Sequence, residues 1–314
     1  MFDFPSSYSP RFIQNPYLHF YLNFYDEGNI LSSAMQRMKA DQHERKINMK
    51  KLLIASLITI ASHTAFAADT KATTVKTDPL FTKATQLYEA KDYPAAFQEM
   101  QRLANTGNKQ AIFNLGYMTQ AGQGTAKDEK KALQYYQDAS NKGYGPATFA
   151  LAQAYHKGTL GLAKNPQKYK EYLDKASTQG SDEATVEFAD LLFRQGKPEY
   201  DQIAIQRLLP LLRKDYYPAK NLKAVYDLGI GVKNKNPFMQ QQAVESLKDL
   251  AKKNYAPSLM ILGNMLANGN IIDQDLEQAK NIFSRLAEAN YPNAKESLAK
   301  VEEAMAAKKA ATKK

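Results

Sequence analysis

The sequence predicts an all-α fold of about six stacked helical hairpins closed by a C-terminal capping helix. Three observations predict it. A small residue recurs at Ala111, Ala147, Ala184, Ala219, Ser258 and Ala294, at intervals of 36, 37, 35, 39 and 36 residues, a period that belongs to stacked supersecondary units. Four residues before each anchor stands Gly107, Gly143, Gly180, Asp215, Asn254 or Asn290, the residue types that best tolerate a left-handed corner or cap the next helix. Ala, Leu, Lys and Gln, all helix formers, dominate the same region, and strand signals are almost absent.

The chain begins with segments that stand apart from the repeats. Met49-Lys50-Lys51 opens a short basic stretch, Leu52 to Ala61 is a ten-residue apolar run, and Ala65-Phe66-Ala67 supplies a small-x-small site before Ala68. Residues 49–67 therefore read as a secretory signal peptide cleaved near Ala67. The apolar run is too short to span a bilayer, which takes about 20 residues. Because a signal peptide works from the very start of a chain, residues 1–48 read as upstream translation from a misassigned start or as a disordered extension. The rival reading is a real extension, with 52–67 buried or membrane-associated. Residues 68–77 form a linker, and the mature protein is expected in the periplasm.

Repeats follow at about 78–110, 111–146, 147–183, 184–218, 219–257 and 258–293, with a cap at 294–307. Fifteen residues before the anchors stand Ala96, Ala132, Tyr169, Ala204, Ala243 and Ala279; eleven before, Met100, Tyr136, Leu173, Leu208, Leu247 and Phe283; eight before, Leu103, Ala139, Ala176, Leu211, Leu250 and Leu286. Offsets of four and three place these on one stripe of a helix. Four after the anchors come Leu115, Leu151, Phe188, Lys223, Leu262 and Leu298, and five after always Gly or Ala. A bulky residue beside a small one lets two helices approach closely. Tyr144, Tyr216, Tyr255 and Tyr291 recur just after the corner residue, a regularity that argues for packing there.

Residues 111–147 read AIFNLGYMTQAGQGTAKDEKKALQYYQDASNKGYGPA, which resembles the Sel-one-like repeat (SLR), the branch of the tetratricopeptide superfamily with a Gly-rich loop inside its hairpin. Leu115-Gly116, Gly122, Gly124, Asp128, Lys131-Ala132, Tyr135-Tyr136, Ala139 and Gly143 carry the likeness. Leu262-Gly263, Gly269, Asp275, Ala279, Phe283 and Asn290 repeat it in register. The stretch from Pro79 to Ala111 lacks the inserted loop and resembles an ordinary tetratricopeptide hairpin. The resemblance implies a right-handed α/α solenoid whose first helices line a concave face.

Candidate chemistry is sparse. The chain has no cysteine, so disulfides and thiolate metal sites are absent. After cleavage, His156 is its one histidine, with no nucleophile or carboxylate partner set by spacing; no catalytic, cofactor or metal site is expected. The loop Gly122 to Asp128 is no phosphate loop, since it lacks the Gly-Lys-Ser/Thr ending and joins two helices. Its glycines permit a turn, and Asp128 can cap the following helix.

Removing 1–67 leaves 35 basic and 27 acidic residues, formally +8. Part of that excess sits in the tail, 308–314, at Lys308, Lys309, Lys313 and Lys314. The plainer reading is a solvated end, the other a weak contact with membrane or cell envelope. Nucleic acid is not expected as a partner of an exported chain with charge spread along its helices.

The resemblance further implies that positions two, six and nine after each anchor point into the concave face. Phe113, Tyr117, Gln120, Phe149, Gln153, His156, Asp190 and Asn264 are the candidate partner-binding residues among them. Large aromatics are preferred binding anchors; the structural alternative is that Phe113 and Phe149 pack between adjacent hairpins. The expected function is that of an exported, monomeric, non-enzymatic scaffold binding another protein. Two alternatives remain. One is a periplasmic immunity protein neutralising a delivered toxin, as some exported SLR proteins do. The other is a protein that binds or processes cell-wall glycan.

Overall fold

The computed structural model describes residues 79–311. The 1–48 segment, the stretch at 49–67 expected to be a signal peptide, the expected linker at 68–77 and the tail residues Lys313 and Lys314 lie outside the described residues. Within them there are thirteen α-helices, a short 3-10 turn at Pro79–Phe81 and no strand. The described residues divide into two compact units, 79–219 and 220–311.

The first unit is built of α1 (Thr82–Glu89), α2 (Tyr93–Asn105), α3 (Lys109–Ala121), α4 (Glu129–Asn141), α5 (Gly145–Lys157), α6 (Pro166–Thr178), α7 (Asp182–Phe193) and α8 (Pro198–Arg213). Each consecutive pair is a hairpin, and each helix packs on its neighbours in sequence. The second unit contains α9 (Tyr217–Lys233, whose first residues belong to the first unit), α10 (Pro237–Lys252), α11 (Ala256–Asn268), α12 (Leu276–Glu288) and α13 (Ala294–Ala311). Here α11 packs on α10 and α12, and α13 closes against α12. The expected all-α hairpin architecture is observed.

The sequence pattern maps directly onto burial. All six anchors are 0% exposed. Met100, Tyr136, Leu173, Leu208, Leu247 and Phe283 are likewise buried on the second helix of each hairpin, each worth about 1.5–3 kcal/mol of transfer free energy. Opposite these side chains the small positions have a steric reason. A Cβ added at Gly116 would lie 2.8 Å from the Tyr136 ring, and one at Gly263 would lie 2.8 Å from the Phe283 ring. In α13 the corresponding Ala299 is exposed, and among the described residues no second helix covers it.

Corners between hairpins use one device. Gly107, Gly143, Gly180, Asp215, Asn254 and Asn290 all have left-handed φ, between 54° and 86°. At five corners the next amide reaches back to close the turn: Tyr144, Ser181, Tyr216, Tyr255 and Tyr291 donate to the carbonyls of Ala139, Ala176, Leu211, Leu250 and Leu286 at 2.8–3.0 Å. The next helix then starts in one of two ways. Asn108 and Ser181 accept from the Ala111 and Ala184 amides through their side chains. Tyr144 and Tyr255 make no such bond, and a proline in the first two helical positions removes a donor instead.

Within hairpins, second helices are capped as the sequence suggests. Asp92, Asp128, Asn165, Asn236 and Asp275 each accept from the backbone amide three residues on, at 2.9–3.2 Å. Lys223, the odd residue among the bulky positions, is held by an i,i+4 ion pair at 2.7 Å to Asp227.

Two loop glycines separate backbone strain from close approach. Gly143 (φ 73°) has open space where a Cβ would sit, whereas a Cβ at Gly124 (φ 75°) would lie 2.2 Å from the Tyr93 carbonyl oxygen at the start of α2. Gly143→Ala should therefore cost about 1–2 kcal/mol, the left-handed penalty alone. Gly124→Ala should cost about 1–3 kcal/mol more, through displacement of α2. Urea unfolding of both variants checks this; equal losses would mean that the loop moves off α2 freely.

Candidate functional site

Along the first helices of the first unit, polar side chains are joined from one hairpin to the next. Gln153 of α5 donates through Nε2 to both carboxylate oxygens of Glu187 of α7, at 2.9 and 2.8 Å. The Tyr169 hydroxyl of α6 donates to the same carboxylate. His156 lies against the Tyr169 ring, with centroids 4.5 Å apart. Burial, and then the Glu187 charge, push the Tyr169 phenol far above its ordinary range, so it remains a donor at any physiological pH. His156 is displaced the other way: partial desolvation, reinforced by Lys157 and Lys164, lowers its pKa and keeps the imidazole neutral near pH 7.

The eight residues singled out from sequence occupy different environments. Phe149, Tyr117 and Gln153 are half-buried and His156 is exposed. Half-buried Phe113 packs its ring on Tyr136 of its own hairpin and on Tyr144 at the start of the next, at 5.5 and 5.4 Å. Gln120 accepts a 2.8 Å bond from the Tyr136 hydroxyl and is held within its own hairpin. Asp190 is buried and pairs with Arg194; desolvation raises its pKa against the pull of that guanidinium. In the second unit Asn264 is 0% exposed, and its amide has no hydrogen-bond partner among the described residues. Neither Asp190 nor Asn264 offers accessible surface, whereas Phe149, Gln153 and His156 share one stripe of α5.

Sequence reasoning missed Tyr169 and Glu187 as site residues. A signal existed for one of them, since Tyr169 stands where the other five hairpins have alanine. Its extra bulk carries a hydroxyl across to the next hairpin. Among the described residues, no three His, Asp or Glu side chains converge as a metal would require. No helix there is long and apolar enough to cross a membrane.

Comparison with known proteins agrees with this geometry. The Sel1 repeat family profile matches residues 109–144, 145–181 and 256–291. Among curated proteins none matches the chain significantly. The fold is similar to that of a solved Sel1 repeat protein from Oxalobacter formigenes, with 23% identity and a TM-score of 0.59 over 71% of this chain and 87% of that one. It is also similar to a protective antigen present in uropathogenic Escherichia coli strains that displays an SLR fold. There the identity is 25% and the TM-score 0.59 over 71% of this chain, which spans about half, 48%, of the antigen's chain. Sel1 repeat proteins are generally scaffolds for protein interaction and are typically non-catalytic. Three stretches of the chain thus match the Sel1 repeat, with left-handed corners and glycine-bearing loops in that repeat's register.

Proposed function

We propose that this chain is an exported, non-enzymatic scaffold that captures a protein partner on the face formed by α3, α5 and α7. The observation that carries this reading is the α5 stripe. Phe149 and His156 present ring surface on either side of Gln153, whose amide is already fixed on Glu187. An aromatic surface whose neighbours are locked by hydrogen bonds loses little conformational entropy when a partner docks. Export rests on the signal-peptide pattern at 49–67, and a periplasmic location follows from it. The residue roles divide accordingly: Phe149 and His156 contact the partner with Tyr117 beside them, while Gln153, Glu187 and Tyr169 hold the surface in shape. Phe113 and Gln120 support it from within their hairpins.

Truncation separates support from contact. Phe113→Ala should cost about 2 kcal/mol of stability through lost packing, whereas Phe149→Ala should cost under about 1 kcal/mol and weaken partner capture. Unfolding curves for the two variants measure the difference. The reading itself is tested by a photo-crosslinking residue placed at Phe149 or His156 in cells, with a control at Glu129 on the second-helix side. A single protein adduct from the first two positions, absent from the control, is expected. Equal labelling at all three, or none, would overturn the assignment.

His156 supplies a pH signature. Its folded pKa lies below the ordinary value of about 6.5, so the fold favours the neutral ring. The unfolded chain then takes up the proton first as pH falls. Stability should fall as pH drops from about 6.5 through the folded pKa and level off below it. An NMR titration of the His156 ring should give a midpoint below that of free histidine. Lys157→Gln with Lys164→Gln should raise it only part of the way, because burial is the larger cause. A midpoint at or above the free value would contradict this account.

A further inference from the structure

A groove of about 640 Å³ opens on the other side of the first unit, between the C-terminal ends of α2 and α4. Its floor is apolar: Ala104, Ile112 and Leu115, with the half-buried ring of Tyr135 beside them. Its rim is polar, formed by Gln101, Asn105, Asp138, Asn141 and Lys142. All five rim side chains are exposed, and among the described residues none is engaged in a hydrogen bond or ion pair.

The next two gaps along the same row are different. Between α4 and α6, the Gln179 side chain donates to the Ser140 carbonyl at 3.2 Å and accepts from the Thr148 hydroxyl, which stands 2.6 Å from Ser140 Oγ. Between α6 and α8, Arg207 reaches Asp174 at 2.7 Å. Those gaps are tied shut by their own polar side chains. At the α2/α4 gap Ala104 and Ile112 stand in the repeat positions of Ser140 and Thr148, and Tyr135 in that of Arg207, so no such tie forms and the gap remains an open, apolar-floored groove whose size falls within the range of small-molecule sites.

We infer that this groove binds an uncharged saccharide of one or two rings, a role distinct from protein capture at the Phe149–His156 stripe of α5. Asp138 and Lys142 balance in charge, so the rim favours a neutral ligand. The three amides of Gln101, Asn105 and Asn141 both donate and accept, as sugar hydroxyls do. The apolar floor and the Tyr135 ring suit the C–H face of a pyranose. A wholly apolar ligand would bury five polar side chains without partners, which is costly.

The test uses the full chain, labelled with nitrogen-15 and titrated separately with glucose, N-acetylglucosamine, chitobiose and an uncharged tetra-alanine peptide, each to about 20 mM. At least one saccharide should shift the resonances of Asn105, Tyr135 and Asn141 with a millimolar dissociation constant. Gln101→Ala with Asn141→Ala should weaken it about tenfold, Asp138→Asn should weaken it less, and Phe149→Ala should leave it unchanged. Absence of any saccharide shift, shifts that persist undiminished in the double variant, or a stronger response to tetra-alanine would each overturn the inference. Failure of protein capture at Phe149 would leave this result untouched.

Discussion

Close approach of the two helices in each hairpin is the constraint on which the remainder of this structure depends. Gly116 beneath the Tyr136 ring and Gly263 beneath the Phe283 ring, each about 2.8 Å from where a Cβ would be, set the hairpin's width. The fully buried anchors set the spacing to the next hairpin. Both are steric conditions, and close-packed interiors respond to volume changes as small as one methylene. The left-handed corners are what permit them to recur. A residue of positive φ, followed by an amide that reaches back to the carbonyl of a buried stripe residue, turns the chain within a few residues and delivers the next anchor in register.

Such an arrangement was largely legible in the sequence because it is local and repeated. Each anchor, corner and stripe position was named by spacing alone, and burial follows that spacing with few departures. Those departures have physical reasons. Lys223 replaces a bulky apolar residue because Asp227, one turn on, holds its charge. Ser258 replaces alanine because its hydroxyl donates to Asn221 Oδ1 at 2.7 Å. Helical periodicity assigns a side chain to a face, but it does not say what that side chain meets across the hairpin boundary. So Phe113 and Phe149, at identical repeat positions, were equivalent by spacing; one found Tyr136 and Tyr144, the other did not. Asp190 and Asn264 share the row with Gln153 and His156 yet are buried, since exposure depends on neighbours in the next helices.

The same distinction separates scaffold from site. Where a polar side chain bridges two hairpins, as with Gln153–Glu187, Gln179–Ser140 or Arg207–Asp174, it contributes to the register between units that otherwise touch only through apolar stripes. In a repeat architecture each unit is stabilised by its nearest neighbours, so such bridges act locally and can be lost at one gap without unfolding the others. That local independence lets one gap close on itself while the next remains open.

It follows that function in a chain of this kind can be carried by departures from the repeat more than by the repeat itself. Tyr169 departs from the alanine of five other hairpins and carries a hydroxyl into the α5–α7 network. The α2/α4 gap departs from its successors by leaving its amides unengaged. Neither departure strengthens the core: Tyr169 adds bulk where alanine suffices, and unengaged rim groups add no intramolecular bond. Regular positions preserve the spacing whatever the chain binds, whereas residues that break the pattern without gaining packing are the ones a ligand or partner can use. By that criterion the first unit offers two separate surfaces, an aromatic stripe on α5 and a polar-rimmed groove on the far side. Neither shares a residue with the other, so each can change without disturbing its counterpart or the corners that hold both in place.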